Sequence, residues 1–137
     1  MWWVYALLSA LFAALTAIFA KVGVSGINSN LATAIRTVII LFAVWIIVFA
    51  KNEWKEIHSI SKQNYLFLTI SGITTALSWL FYFRAMQLGP ASQVAPVDKL
   101  SVAFVIILSA LFLGEPLTLK TAIGASLILA GTITLVL

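Results

Sequence analysis

Three charged residues lie inside apolar runs, and they carry the chemistry this sequence offers. Arg36 sits in LATAIRTVIILFAVWIIVFA, and Asp98 and Lys99 stand side by side in SQVAPVDKLSVAFVIILSALFL. Charge inside a hydrocarbon-length helix is expensive and is usually kept for function or for a partner. Arg36 falls about five residues past the start of its run, roughly 8 Å at 1.5 Å per residue. Asp98 and Lys99 lie about six and seven residues past Ser92, deeper still at the same rise. A buried arginine and lysine attract an anionic or carboxylate-bearing group. An aspartate beside them orients one of them or carries a coupling proton. Asp98 paired with Arg36 or Arg84 is the simplest arrangement, because adjacent helical residues diverge by about 100° and Asp98 and Lys99 cannot face one cavity together. The competing reading has the cations snorkelling to the interface, with Asp98 bridging one of them.

A second group of residues could line a solute path. Ser71, Thr75, Ser78 and Tyr82 recur at helical spacing and share one face, with Trp79 and Phe83 flanking it. Trp79 and Tyr82 are the expected lining residues. Small-residue packing with an interfacial aromatic belt accounts for the same pattern. Pro96, close to Asp98, either kinks a helix beside a cavity or marks where that helix begins. His58, the single histidine, stands in a polar loop with only Glu53 and Glu56 near it in sequence, a poor metal site. No metal, cofactor or catalytic constellation is expected, and no phosphate-binding glycine loop supports an ATP-driven step. The expected activity is not enzymatic.

The elements that must hold these residues are transmembrane helices. Of 137 residues, 63% are hydrophobic and 9% charged, against roughly 25% charged in soluble domains. The chain is therefore expected to be an integral membrane protein in a lipid bilayer, all-α, a bundle of five helices and one domain over residues 1–137. The spans predicted are Trp2–Ala20, Leu31–Ala50, Tyr65–Phe83, Ser92–Leu113 and Leu117–Leu137. Asn30 is the expected cap of the second and Ser92 of the fourth. Uniformly apolar segments argue against a β-barrel, whose strands alternate. The first apolar run lacks a basic flank and exceeds a signal peptide's roughly 7–15 residues, so it reads as a retained helix. Cysteine is absent, which removes disulfide and thiol chemistry. The net charge of +4 needs no nucleic-acid partner, since no basic stripe or binding motif accompanies it.

Five spans put the termini on opposite sides. Lys51, Lys55, Lys62 and Lys120 then share the N-terminal side with Glu53, Glu56 and Glu115. Lys21, Arg36, Arg84 and Lys99 enter from the other side, against Asp98 alone. The inference is a cationic vestibule opening to one face, able to concentrate anions and zwitterions. The positive residues give only a weak orientational preference, which permits insertion both ways.

The segment from Phe83 onward also carries a family pattern. Ala85-Met86-Gln87-Leu88-Gly89-Pro90-Ala91-Ser92 is followed by Val94-Ala95-Pro96 and then Leu113-Gly114-Glu115-Pro116-Leu117-Thr118. Gly124-Ala125-Ser126-Leu127-Ile128 and Ala130-Gly131 complete the series. In this order the chain resembles the EamA domain of the drug/metabolite transporter superfamily. Most members look like two fused five-helix repeats in inverted orientation, and this chain resembles a half-size member. The last span, with Gly124, Ala130 and Gly131, is also similar to the dimerisation helix of small multidrug resistance transporters. Those use a glutamate in the first helix, and the first span here has no acidic residue. The resemblance implies secondary transport of a small-molecule metabolite in a prokaryotic inner membrane. Together with the charge pattern it gives an antiparallel homodimer moving an anionic or zwitterionic solute by alternating access, with Arg36, Trp79, Tyr82, Asp98 and Lys99 at the substrate. Proton-coupled export of cationic or lipophilic compounds through Asp98, and a non-transporting membrane subunit, are the alternatives.

Overall fold

Length and apolarity alone make five helices capable of crossing a membrane. In the computed structural model, which describes residues 1–137, these are Trp2–Gly23, Ser29–Ala50, Lys62–Leu88, Ala91–Leu113 and Leu119–Val136. No strand is present. The first three are single helices: α1 (Trp2–Gly23), α2 (Ser29–Ala50) and α3 (Lys62–Leu88). The fourth is interrupted. It divides into α4 (Ala91–Asp98), α5 (Ser101–Leu108) and a π-helical turn over Ser109–Leu113. The last is α6 (Leu119–Val136), and a 3-10 helix over Glu53–Ser59 fills much of the one long polar loop.

Local chemistry sets the ends. Asn28, not Asn30, caps α2. Its backbone is extended, and its side-chain oxygen accepts from the amides of Asn30 at 2.9 Å and Leu31 at 3.4 Å. Ser92 does not cap α4 either. Pro90 occupies the cap position with φ −67°, and its carbonyl accepts the amides of Gln93 and Val94, both at 3.0 Å. Thr118 caps α6 by accepting from the Thr121 amide at 3.2 Å. Gly114, in the left-handed region at φ 67°, ends the π turn, and the Glu115 amide returns to the Ser109 carbonyl at 3.3 Å.

Two compact units divide the chain, Ala20–Gln87 and the combination of Met1–Phe19 with Leu88–Leu137. In the first, Val24, Phe83 and Met86 are fully or almost fully buried, and α2 packs on the 3-10 helix. In the second, α4 and α5 pack against α6, where Ala103 and Thr132 are buried.

Candidate functional site

The unit formed by Ala20–Gln87 holds a cavity of about 630 Å³ between α2 and α3, within the range of small-molecule pockets. Asn30, Thr33 and Thr37 form one wall, and Ser71, Thr75 and Trp79 the other. On each helix these positions recur at three- and four-residue steps and therefore share a face. Ala34, Gly72 and Ala76 stand among them, and their small size leaves the space open. The walls are mainly apolar, with a few hydroxyls and one amide. Thr33, Thr37 and Thr75 donate to carbonyls of their own helices, those of Ser29, Thr33 and Ser71, at 2.9, 2.8 and 2.8 Å. Their protons are thus used, and their oxygens remain as acceptors. Asn30 adds amide donors to the wall.

Trp79 joins this cavity to a charge. The Arg36 guanidinium carbon lies 4.4 Å from the Trp79 ring centroid and 5.2 Å from that of Phe83. Such cation–π contacts stabilise by about 0.5–2 kcal/mol each, more as water is excluded. The ion pairs in the structure are Lys51–Glu53 and Lys99–Asp98, so no carboxylate neutralises Arg36. The aromatic faces hold a cation in place without cancelling its charge.

The other expected site residues are distributed as follows. Tyr82 is half-buried and sits edge-on to Phe83, with centroids 6.2 Å apart, outside the residues that line the cavity. Ser78, on the same stripe, is exposed and also outside it. Asp98 bonds its neighbour Lys99, at 3.2 Å, in place of the expected Arg36 or Arg84. Lys99 stands at the C-cap of α4, and its long, flexible side chain bends back to the carboxylate beside it. Arg84 instead donates to the Gln87 side-chain oxygen at 3.1 Å.

Two side chains outside the expected set build the floor of the Ala20–Gln87 unit. Lys21 donates to the Met86 carbonyl at 2.6 Å, capping the C-terminal end of α3 with a cation, which the helix dipole favours. The Gln87 amide nitrogen donates to the carbonyls of Val24, at 3.1 Å, and Ile27. Lys21 thus ties the end of α1, and Gln87 the turn before α2, to the end of α3. Lys21 therefore has a partner within the fold. The α2 wall carried a readable signal in the spacing of Asn30, Thr33 and Thr37, matching that of Ser71 and Thr75. Gln87 carried none, because its partners are backbone atoms.

Five helices long and apolar enough to span a bilayer define a polytopic membrane protein. The chain belongs to the EamA-like transporter family, whose model matches residues 1–137, within the drug/metabolite transporter superfamily. An uncharacterized transporter in the cobO 3' region of Sinorhizobium sp. is 53% identical over 134 residues, 98% of this chain and 95% of that protein. An uncharacterized protein of Methanocaldococcus jannaschii is 34% identical over 83 residues, 61% of each chain. The uncharacterized transporter YvbV of Bacillus subtilis is 38% identical over 79 residues, 55% of this chain and 26% of that one. No solved structure shows a significant match.

Proposed function

We propose that the protein is a secondary transporter of a small anionic or zwitterionic metabolite. It acts by alternating access in a prokaryotic inner membrane, as an antiparallel homodimer of one five-helix repeat. The observation that carries the solute class is Arg36, positioned by Trp79 and Phe83 and facing no carboxylate. A guanidinium held this way gains its strongest partner when a solute carboxylate or phosphate arrives, and its planar fork suits either. The cavity next to Trp79 offers acceptor oxygens and an amide for the remaining polar groups, and apolar wall for the rest of the solute. Lys99, in the other unit, is a second candidate for the solute and has Asp98 at 3.2 Å.

Reconstitution into proteoliposomes tests this reading. Uptake of a labelled panel of small carboxylates, phosphates, zwitterions and organic cations is measured for the native chain, Arg36→Ala and Lys99→Ala. Saturable uptake of an anion or zwitterion, lost at least tenfold in Arg36→Ala, is expected. Unchanged uptake in both variants, or a preference for the cations, would overturn the assignment.

A further inference from the structure

The structure assigns to Thr132 a positioning role: from α6 it holds the break in the fourth span, and through that break the Asp98–Lys99 pair. The break begins with Pro96, which has no N–H to give the Ser92 carbonyl. Beyond it the backbone bonds shorten by one residue. The amides of Lys99, Leu100, Val102 and Ala103 reach the carbonyls of Pro96, Val97, Lys99 and Leu100, each at 3.0 Å. In an uninterrupted helix the Pro96 carbonyl would accept from the Leu100 amide. That amide has turned to Val97, and the Pro96 carbonyl accepts the Lys99 amide and the Thr132 hydroxyl, the latter at 3.3 Å. Thr132 is only 6% exposed, and it shares its one proton between Pro96 and the Ile128 carbonyl of its own helix at 2.9 Å.

The remaining hydroxyls of α6 provide the contrast. Ser126 and Thr134 donate to Ala122 and Ala130, both within α6 at 2.9 Å, and Thr121 meets Thr118 at its N-terminal end. Thr132 alone on this helix bonds to the fourth span. It fixes where along α6 the break sits, and so where the turn carrying Asp98 and Lys99 is held. The consequence for transport rests on Lys99 meeting the solute, as proposed above; the positioning of the break does not.

Hydrogen exchange of the full chain in lipid nanodiscs tests the positioning. The amides of Lys99–Ala103 are followed in the native protein, Thr132→Val, Thr132→Ser and Thr134→Val. Loss of an interhelical hydrogen bond in lipid should speed their exchange about three- to fivefold in Thr132→Val. Thr132→Ser, which keeps the hydroxyl, and Thr134→Val, which removes only a bond within α6, should match the native rate. Exchange over Trp2–Phe19, in the same unit as Thr132, reports whether each variant is folded, and Thr132→Ala substitutes for a valine variant that is not. Equal rates in native and Thr132→Val protein, or equal acceleration by Thr134→Val, would overturn the assignment. For a solute found in the uptake panel, Thr132→Val should raise the half-saturating concentration and Thr132→Ser should not. Faster exchange with unchanged half-saturation would contradict the role of Lys99 while leaving the break assigned to Thr132.

Discussion

Arg36 shows how one side chain can stay charged and ordered in an apolar helix. Its guanidinium lies against Trp79 and Phe83, both on α3, so the rings position it and leave its hydrogen-bond donors for another group. Two substitutions separate position from charge. Arg36→Lys keeps the charge and loses the planar fork, and should retain part of the uptake with a weaker apparent affinity. Trp79→Ala keeps the arginine and removes its nearer support, and should lower affinity by about five- to thirtyfold, the equivalent of about 1–2 kcal/mol. Uptake kinetics over a concentration series check both. Gln87 acts at the same scale but on stability. Gln87→Leu leaves the Val24 and Ile27 carbonyls without their donor, a loss of about 1–3 kcal/mol. Thermal unfolding in detergent should show a lower midpoint for this variant, and little change for Ser78→Ala, whose side chain is exposed.

The helices were largely legible because twenty apolar residues in a row admit few other structures. Their ends and interruptions were less so. Asn28 and Asn30 are the same residue type two positions apart, and only the backbone conformation at Asn28 makes it the cap. Asn28→Ala should therefore cost about 1 kcal/mol of stability. Asn30→Ala should cost less and act on uptake instead, because Asn30 lines the cavity. Comparing the two in unfolding and transport measurements checks the division. The fourth span was read as continuous apart from Pro96. Its division begins at Pro96, but the contact proposed to hold it comes from a threonine more than thirty positions later in the chain, which no local pattern reveals. The pairing of Asp98 with Lys99 was hidden as well, because it depends on the conformation of one long lysine side chain, which helical spacing does not specify. The α2 wall of the cavity was missed because membrane threonines commonly bond their own helix, as Thr33 and Thr37 do.

At the scale of the whole molecule, one copy leaves polar groups exposed along its spans. Thr37, Ser71, Thr75 and Ser78 are exposed on helices otherwise suited to lipid, and three of them line the cavity. Hydroxyls in such places are expected to face protein or a water-filled path, not hydrocarbon. Inverted repeats recur in transporters with a site near the midplane, and in the proposal above residues 1–137 form one such repeat. A second copy inserted the opposite way would supply the missing half. The lysines and arginines permit this, since they favour neither side strongly. We propose that one copy is half of a transporter, and orientation tests this directly. A single cysteine is introduced into the cysteine-free chain, either Ser25→Cys in the first connection or Ser61→Cys in the second, and each is labelled in intact cells with a membrane-impermeant maleimide. An antiparallel dimer should label at both sites, each in part of the population and each completely once the membrane is opened. Labelling of one site only, and in every molecule, would contradict it.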